Sequence, residues 1–210
     1  MIYLIGGPPK CGKTTLSKKL SKKLGIPWIS ADTLQTIAKE YTNKKDISKK
    51  FPWSTIRKIK KSNDIAFGEY TSKEIVKLYT TQAKVTYGAI DMVSICEITD
   101  GNDYIIEGYQ VEPQLVSALY KKYGAENFKA VFLIKKDISK FVEDLRKSTT
   151  PNDWIIEKTK YEETYGKIAK MISEYGSYFE AEATKYEFKV FNMDEDFDKK
   201  LAEIENYLGK

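Results

Sequence analysis

Short apolar runs alternate along this chain with longer stretches whose apolar residues return every three or four positions. Residues 2–5, 26–30, 104–108, 129–135 and 188–192 read as five strands. After the first of them, Leu16, Leu20 and Leu24 recur with lysines between, and Gly25 then Pro27 stop the helix. A lysine-rich mixed segment follows to about residue 69, broken by Pro52 and Gly68. Residues 71–99 carry a helical pattern, with Ile75, Leu78, Tyr79, Val85 and Ile90 among its apolar positions. Residues 111–123 form another helix, and Asp137 starts one that turns Ile138, Phe141, Val142 and Leu145 to the core. One long helical pattern covers 154–186, with Tyr165, Ile168, Ile172 and Tyr175 on one side, and an amphipathic helix closes the chain at 195–208. Strands alternating with helices at this spacing predict an α/β domain over residues 1–210: a parallel sheet with helices on both faces.

Between the first strand and the first helix stands Gly7-Pro8-Pro9-Lys10-Cys11-Gly12-Lys13-Thr14, which fits G-x-x-x-x-G-K-[ST]. In that context the glycines let backbone N–H groups curl around phosphate oxygens, and the helix adds its positive dipole end. Lys13 is expected to reach the β- and γ-phosphates, Thr14 to ligate Mg²⁺, and Thr15 to continue the cradle. The bland alternative is a plain glycine turn.

Composition narrows the chemistry. Two cysteines, Cys11 and Cys96, make no disulfide framework, so a reducing cytoplasm is expected. Cys11 stands at a helix start, where a thiol pKa can fall, against the plainer reading of a small filler. The first residues are too short and glycine-broken for a secretory leader, and no apolar run approaches a membrane span. With no histidine, the commonest general base and zinc ligand are gone; carboxylates, lysines, hydroxyls and a bound metal remain. The net charge of +5 is almost all lysine, and scattered lysines on helix faces usually mark solvated surface. Arg57 and Arg146 are the only arginines, the residue better suited to bidentate phosphate recognition.

Two further carboxylates, Asp32 and Glu107, follow apolar strands. Ligands of an open parallel sheet sit at the carboxyl ends of its strands, so both should converge on the phosphates. There a carboxylate can hold Mg²⁺ through water or take the proton of an attacking hydroxyl. Asp32 could instead cap the next helix, and Glu107 could join a buried ion pair.

At these residues the chain resembles the P-loop kinases of the adenylate kinase and shikimate kinase type. Ile29-Ser30-Ala31-Asp32-Thr33-Leu34-Gln35 is similar to their S-x-x-D-x-L-R region, and Glu107-Gly108-Tyr109-Gln110-Val111 stands where they have D-G-F-P-R. Residues 137–146 resemble the helix that carries an ATP-contacting arginine, here Arg146. The resemblance implies a three-layer fold with strand order 2-3-1-4-5, a helical substrate lobe at about 33–94, a short lid at about 147–160, and Mg-ATP. It makes Lys13, Asp32 and Arg146 the catalytic candidates, with Asp32, Arg57, Glu107 and Tyr109 on the substrate side.

The departures bear on substrate. The arginines that clamp a nucleoside monophosphate would fall at Gln35 and Val111, which cannot hold a dianion. Arg57, within Ile-Arg-Lys-Ile-Lys-Lys, could bind some other anionic group, unless the run is only a solvated helix face. The lid stretch offers Lys158 and Lys160 but no arginine. Asn43-Lys44-Lys45-Asp46 spells a guanine motif, yet it lies just behind the second strand, and no D-x-x-G occurs. The expected activity is ATP-dependent phosphoryl transfer to a hydroxyl of a small metabolite by a monomer or homodimer, without membrane. Alternatives are a kinase of nucleic-acid ends or a sugar-nucleotide, and a nucleotide-binding regulator. Nucleic acid is disfavoured because the aromatics fall at core spacing, not beside basic clusters.

Overall fold

The computed structural model describes residues 1–148 and 153–209; the middle of the expected lid stretch therefore lies outside the described residues. The chain opens with β1 (Ile2–Gly6), buried along its whole length, and after the loop enters α1 (Lys13–Leu24). Leu16 and Leu20 are fully buried, whereas Leu24 reaches solvent where Gly25, at φ +70, ends the helix. β2 (Trp28–Ser30) runs directly into α2 (Ala31–Glu40). The mixed segment forms three short helices: α3 (Ile47–Lys50), α4 (Pro52–Lys60) and α5 (Asn63–Glu69). Just before them, Asn43 accepts the Lys45 N–H and starts a single 3₁₀ turn, so the guanine-like run is only a turn here. The long α6 (Ser72–Thr99) begins at a capping box of Thr71 and Glu74.

β3 (Tyr104–Glu107), α7 (Pro113–Tyr123) and β4 (Phe128–Ile134) follow, then α8 (Ile138–Arg146), capped by Asp137. Phe141 and Leu145 of α8 are buried as expected, but Ile138 at its first turn is exposed. The segment expected as one helix over 154–186 is two, α9 (Trp154–Lys158) and α10 (Glu162–Lys185). The break has a tertiary cause. Asp64 accepts the N–H groups of Lys160 and Tyr161, and Asn63 donates to the Trp154 carbonyl and the Thr159 hydroxyl. Those partners outcompete the intrahelical bonds that periodicity alone would favour. β5 (Lys189–Asn192) and α11 (Phe197–Leu208) complete the chain.

The sheet order is β2-β3-β1-β4-β5, and every pairing is parallel. β1 lies at the centre, with Leu4 opposite Ile106 on one side and Ala130 on the other. All five strands thus end at one edge, which brings the loop after β1, the start of α2 and the end of β3 together. Beside that edge, α4 to α6 build a small aromatic core. Trp53, almost wholly buried, meets Phe67 edge-on at 5.5 Å and Tyr79 at 5.8 Å. Truncating such a ring typically costs about 3–5 kcal/mol, so Trp53 fixes α4 against α6.

Candidate active site

The loop after β1 owes its course to sterics. Gly7 sits at φ +129, where a Cβ would lie 2.0 Å from the Leu133 carbonyl oxygen. Gly12 sits at φ +92, with the Phe197 ring 2.6 Å from the Cβ position. Neither place admits a side chain. Lys10 takes φ +65 without being glycine, and its ammonium reaches Asp153 at 2.5 Å. Lys13 is buried and donates to the Pro8 carbonyl at 2.6 Å. Pro9, Lys10, Gly12, Lys13, Thr14 and Thr15 line a cavity of about 1740 Å³, while Gly7, Pro8 and Cys11 lie behind its wall. Burial pushes the Cys11 thiol up to about 11 against the pull of Lys13 and Lys135. It packs as a filler, and the helix start does not activate it.

Both strand-end carboxylates reach this cavity. Ser30, not Asp32, caps α2 by accepting the Asp32 N–H, which leaves the Asp32 carboxylate free to face the cavity. Its Oδ1 accepts from Gln110 Nε2 at 2.8 Å. Glu107 is buried at the end of β3 and accepts the Thr14 hydroxyl at 3.0 Å. Burial raises its pKa, opposed by Lys13 and by the Thr14 hydrogen bond. Thr14 and Glu107 are hard oxygen donors beside the buried Lys13, a pair that suits Mg²⁺, which keeps several waters and takes few protein ligands. Among the described residues no group of three acidic or cysteine side chains forms a full metal cage.

Away from the loop, the cavity extends in two directions. One wing is walled by α2, α4 and α6 through Asp32, Gln35, Trp53, Arg57, Tyr79, Gln82 and Tyr109. A chain of hydrogen bonds crosses it. Gln82 Nε2 donates to the Tyr109 hydroxyl, which donates to Gln35 Oε1, which also accepts from Gln110 Nε2 at 3.2 Å. Burial, then the Asp32 charge, pushes the Tyr109 phenol well above its usual range, so it stays neutral and acts as a hydrogen-bonding wall. Val111 is fully buried and does not line the cavity. The other wing is walled by α8 and by the turn from β5 to α11, through Lys135, Lys140, Phe141, Asp144, Asp194 and Phe197.

Arg146 does not join these groups. It is nearly two-thirds exposed, pairs with Glu162 and is not among the residues that line the cavity. The cations that face the cavity from this side are Lys135, Lys140 and Lys147. Lys135 stands directly after β4, so the strand-end argument that found Asp32 and Glu107 would also have found it. Nothing in the sequence marked Gln82, Trp53 or Trp154, which reach the wing only through the packing of α4, α6 and α9.

A scan against protein families finds no match, and a search of curated proteins finds none either. Solved structures are similar over almost the whole chain. Shikimate kinase from Bacteroides thetaiotaomicron aligns with TM-score 0.54 and 16% identity, covering 100% of this chain and 99% of that one. A gluconokinase from Sinorhizobium meliloti gives 0.52 and 10%, covering 99% and 95%. The YorR protein of Bacillus subtilis, in complex with phosphorylated GDP, gives 0.51 and 14%, covering 100% and 95%. The architecture is therefore that of the P-loop kinases, and at these identities the likeness is one of fold.

Proposed function

We propose that this chain is an ATP-dependent phosphotransferase that moves the γ-phosphoryl group of Mg-ATP to a hydroxyl of a small metabolite. One observation carries the reading: the phosphate loop opens into the middle of a cavity with two wings, and Asp32 stands on one side of it. A donor nucleotide fits along the wing of Lys140 and Phe197, and an acceptor along the wing of Gln35, Gln82 and Tyr109. Phosphoryl transfer needs little covalent help from a protein; position and charge supply most of the catalysis.

In this reading the loop N–H groups and Lys13 hold the β- and γ-phosphates, and Thr14 with Glu107 would hold Mg²⁺, the latter through water. Bound there, the metal would neutralise charge between the β- and γ-phosphates. Asp32 accepts the acceptor's hydroxyl proton as its oxygen bonds to the γ-phosphorus. The bond to the bridging oxygen breaks, and ADP leaves with that electron pair. Gln110 orients the Asp32 carboxylate. Lys135 and Lys140, which share Asp144, line the donor wing. The test is a screen of hydroxylated metabolites with γ-labelled ATP. Label should appear on one acceptor class in a Mg²⁺-dependent way; ATP hydrolysis that no acceptor stimulates, with no labelled product, would overturn the proposal.

A further inference from the structure

The amides that wall the acceptor wing are not free to choose which end they show. A glutamine side chain carries an oxygen that accepts and a nitrogen that donates, and the two ends fit the same space. Which end faces the cavity is therefore set by neighbours that have no such choice. Two of those neighbours act on Gln35 from opposite directions.

The first is the backbone of Ser54. It stands in the first turn of α4, where the helix has no use for its N–H, and that N–H donates to Gln82 Oε1 at 3.0 Å. Gln82 is left with its nitrogen toward Tyr109 and donates to the phenol oxygen. Tyr109 keeps its proton, because burial and then the Asp32 charge hold its pKa well above the usual range, and it donates to Gln35 Oε1. The second is the Asp32 carboxylate, which only accepts. It draws Gln110 Nε2 to 2.8 Å, and the same nitrogen lies 3.2 Å from Gln35 Oε1. Gln110 holds this orientation although its own Oε1 stays buried without a partner. Both relays thus end on the Gln35 oxygen. Turning that amide over would set its nitrogen against the Gln110 nitrogen and leave the Tyr109 proton with no acceptor. The Gln35 N–H₂ group therefore faces away from both, on a residue that lines the cavity, and has no hydrogen-bond partner among the described residues.

Asp32 and Gln35 stand three residues apart on one face of α2, so a single small molecule spans them. We propose that Gln35 selects the acceptor: with the phosphorylated hydroxyl at Asp32, the Gln35 N–H₂ group donates to a lone pair on the neighbouring part of the same molecule, a hydroxyl, ether or carbonyl oxygen. This rests on the acceptor wing of the proposed phosphotransferase. A hydrogen or a methyl group at that point leaves the amide without a partner, and an ammonium meets it donor to donor. The arginine that stands here in the kinases the chain resembles would hold a dianion, whereas a neutral amide suits a neutral oxygen.

A neutron structure in heavy water reads the orientation directly. The Gln35 deuterons should face the cavity, and deuterons facing Tyr109 overturn the proposal. Transfer from γ-labelled ATP is then compared for glycerol, 1,3-propanediol and serinol, which differ only in carrying a hydroxyl, a hydrogen or an ammonium group on the central carbon. Glycerol should exceed 1,3-propanediol in kcat/KM by about tenfold, the worth of one neutral hydrogen bond. Gln35→Leu should remove that difference. Gln35→Glu turns a carboxylate oxygen to the cavity and should raise serinol relative to glycerol by roughly tenfold or more, a gain that a misfolded variant does not produce. Equal use of glycerol and 1,3-propanediol by the wild type, or an unchanged ratio in Gln35→Leu, overturns the proposal and leaves the phosphotransferase standing. A larger acceptor returned by the metabolite screen is compared in the same way with its deoxy and amino analogues. No labelled product from any hydroxyl compound refutes the phosphotransferase, and this role of Gln35 with it, whichever way the amide faces.

Discussion

On the side of the cavity formed by α8 and the turn after β5, lysines meet carboxylates drawn from elsewhere in the fold: Asp144 for Lys135, and Asp153 for Lys10 on the loop. On the side formed by α2, α4 and α6, Arg57, Lys58 and Lys158 meet none among the described residues. The first arrangement stores its charge balance inside the protein, so a ligand arriving there must compete with existing partners. The second leaves the balance to whatever binds. Among the described residues, Lys13 shares the lack of a carboxylate partner with the second side, whereas the pairs of the first side tie α8 and the loop to their neighbours.

The largest effect should come from the carboxylate on the second side nearest the phosphate loop. Asp32→Asn should lower kcat by about 10²–10⁴, the usual worth of general-base assistance, and leave ATP affinity nearly intact. An equal loss in ATP binding would move Asp32 to the donor side and break the division. Lys13→Ala should cost on the order of 10²–10³ in rate, with a smaller loss in nucleotide affinity because the loop N–H groups remain. Near-full transfer by this variant would mean that the loop does not hold the reacting phosphate.

A smaller effect tests the paired side directly. Asp153→Asn keeps a competent cap on α9 but removes the counter-charge of Lys10. With Lys10 released toward the phosphates, ATP should bind more tightly. Weaker binding, measured by calorimetry, would show that the pair holds the loop in its binding shape.

Glu112 offers the control, an unmatched charge away from the cavity. It is fully buried between α6, α7 and α10, and accepts from Tyr87, Tyr178 and Gln114 with no cation bonded to it among the described residues. Burial raises its pKa from 4.5 to about 7, opposed by the two tyrosine hydroxyls and Lys84, with Glu182 adding to the rise. Here the protein answers the missing partner with a proton. Below the unfolded value both states are protonated and this group costs nothing; as pH climbs toward 7 the unfolded chain ionises first and stability is lost. Glu112→Gln should therefore match the wild type near pH 4.5 and be more stable at pH 8. The expected gain is on the order of 1–3 kcal/mol, or a few degrees in Tm. A gap that does not grow with pH would show that Glu112 is charged throughout.

How much of this was legible beforehand depended on range. The five strands, the phosphate loop and the strand-end carboxylates follow from local periodicity, two glycines that need positive φ, and a parallel sheet's common edge. The Arg146–Glu162 pair was not legible, because a helix pattern sets a residue's position but not the partner its side chain chooses. Gln82 was passed over because a buried amide in a helix looks like any polar residue until Ser54 and Tyr109 satisfy it from other elements.

The sequence by itself determined the parallel α/β fold and the glycine loop after β1, because hydrophobic spacing and glycine sterics act over a few neighbouring residues. Only the tertiary structure decided which charges are neutralised. Lys10 and Asp153 stand 143 residues apart, and Asn63 breaks a helix whose carbonyls lie 91 and 92 positions away. Trp154 lies under Arg57, also far from it along the chain. Coulomb and hydrogen-bond energies depend on distance in space, and for groups this far along the chain that distance exists only once the core has closed.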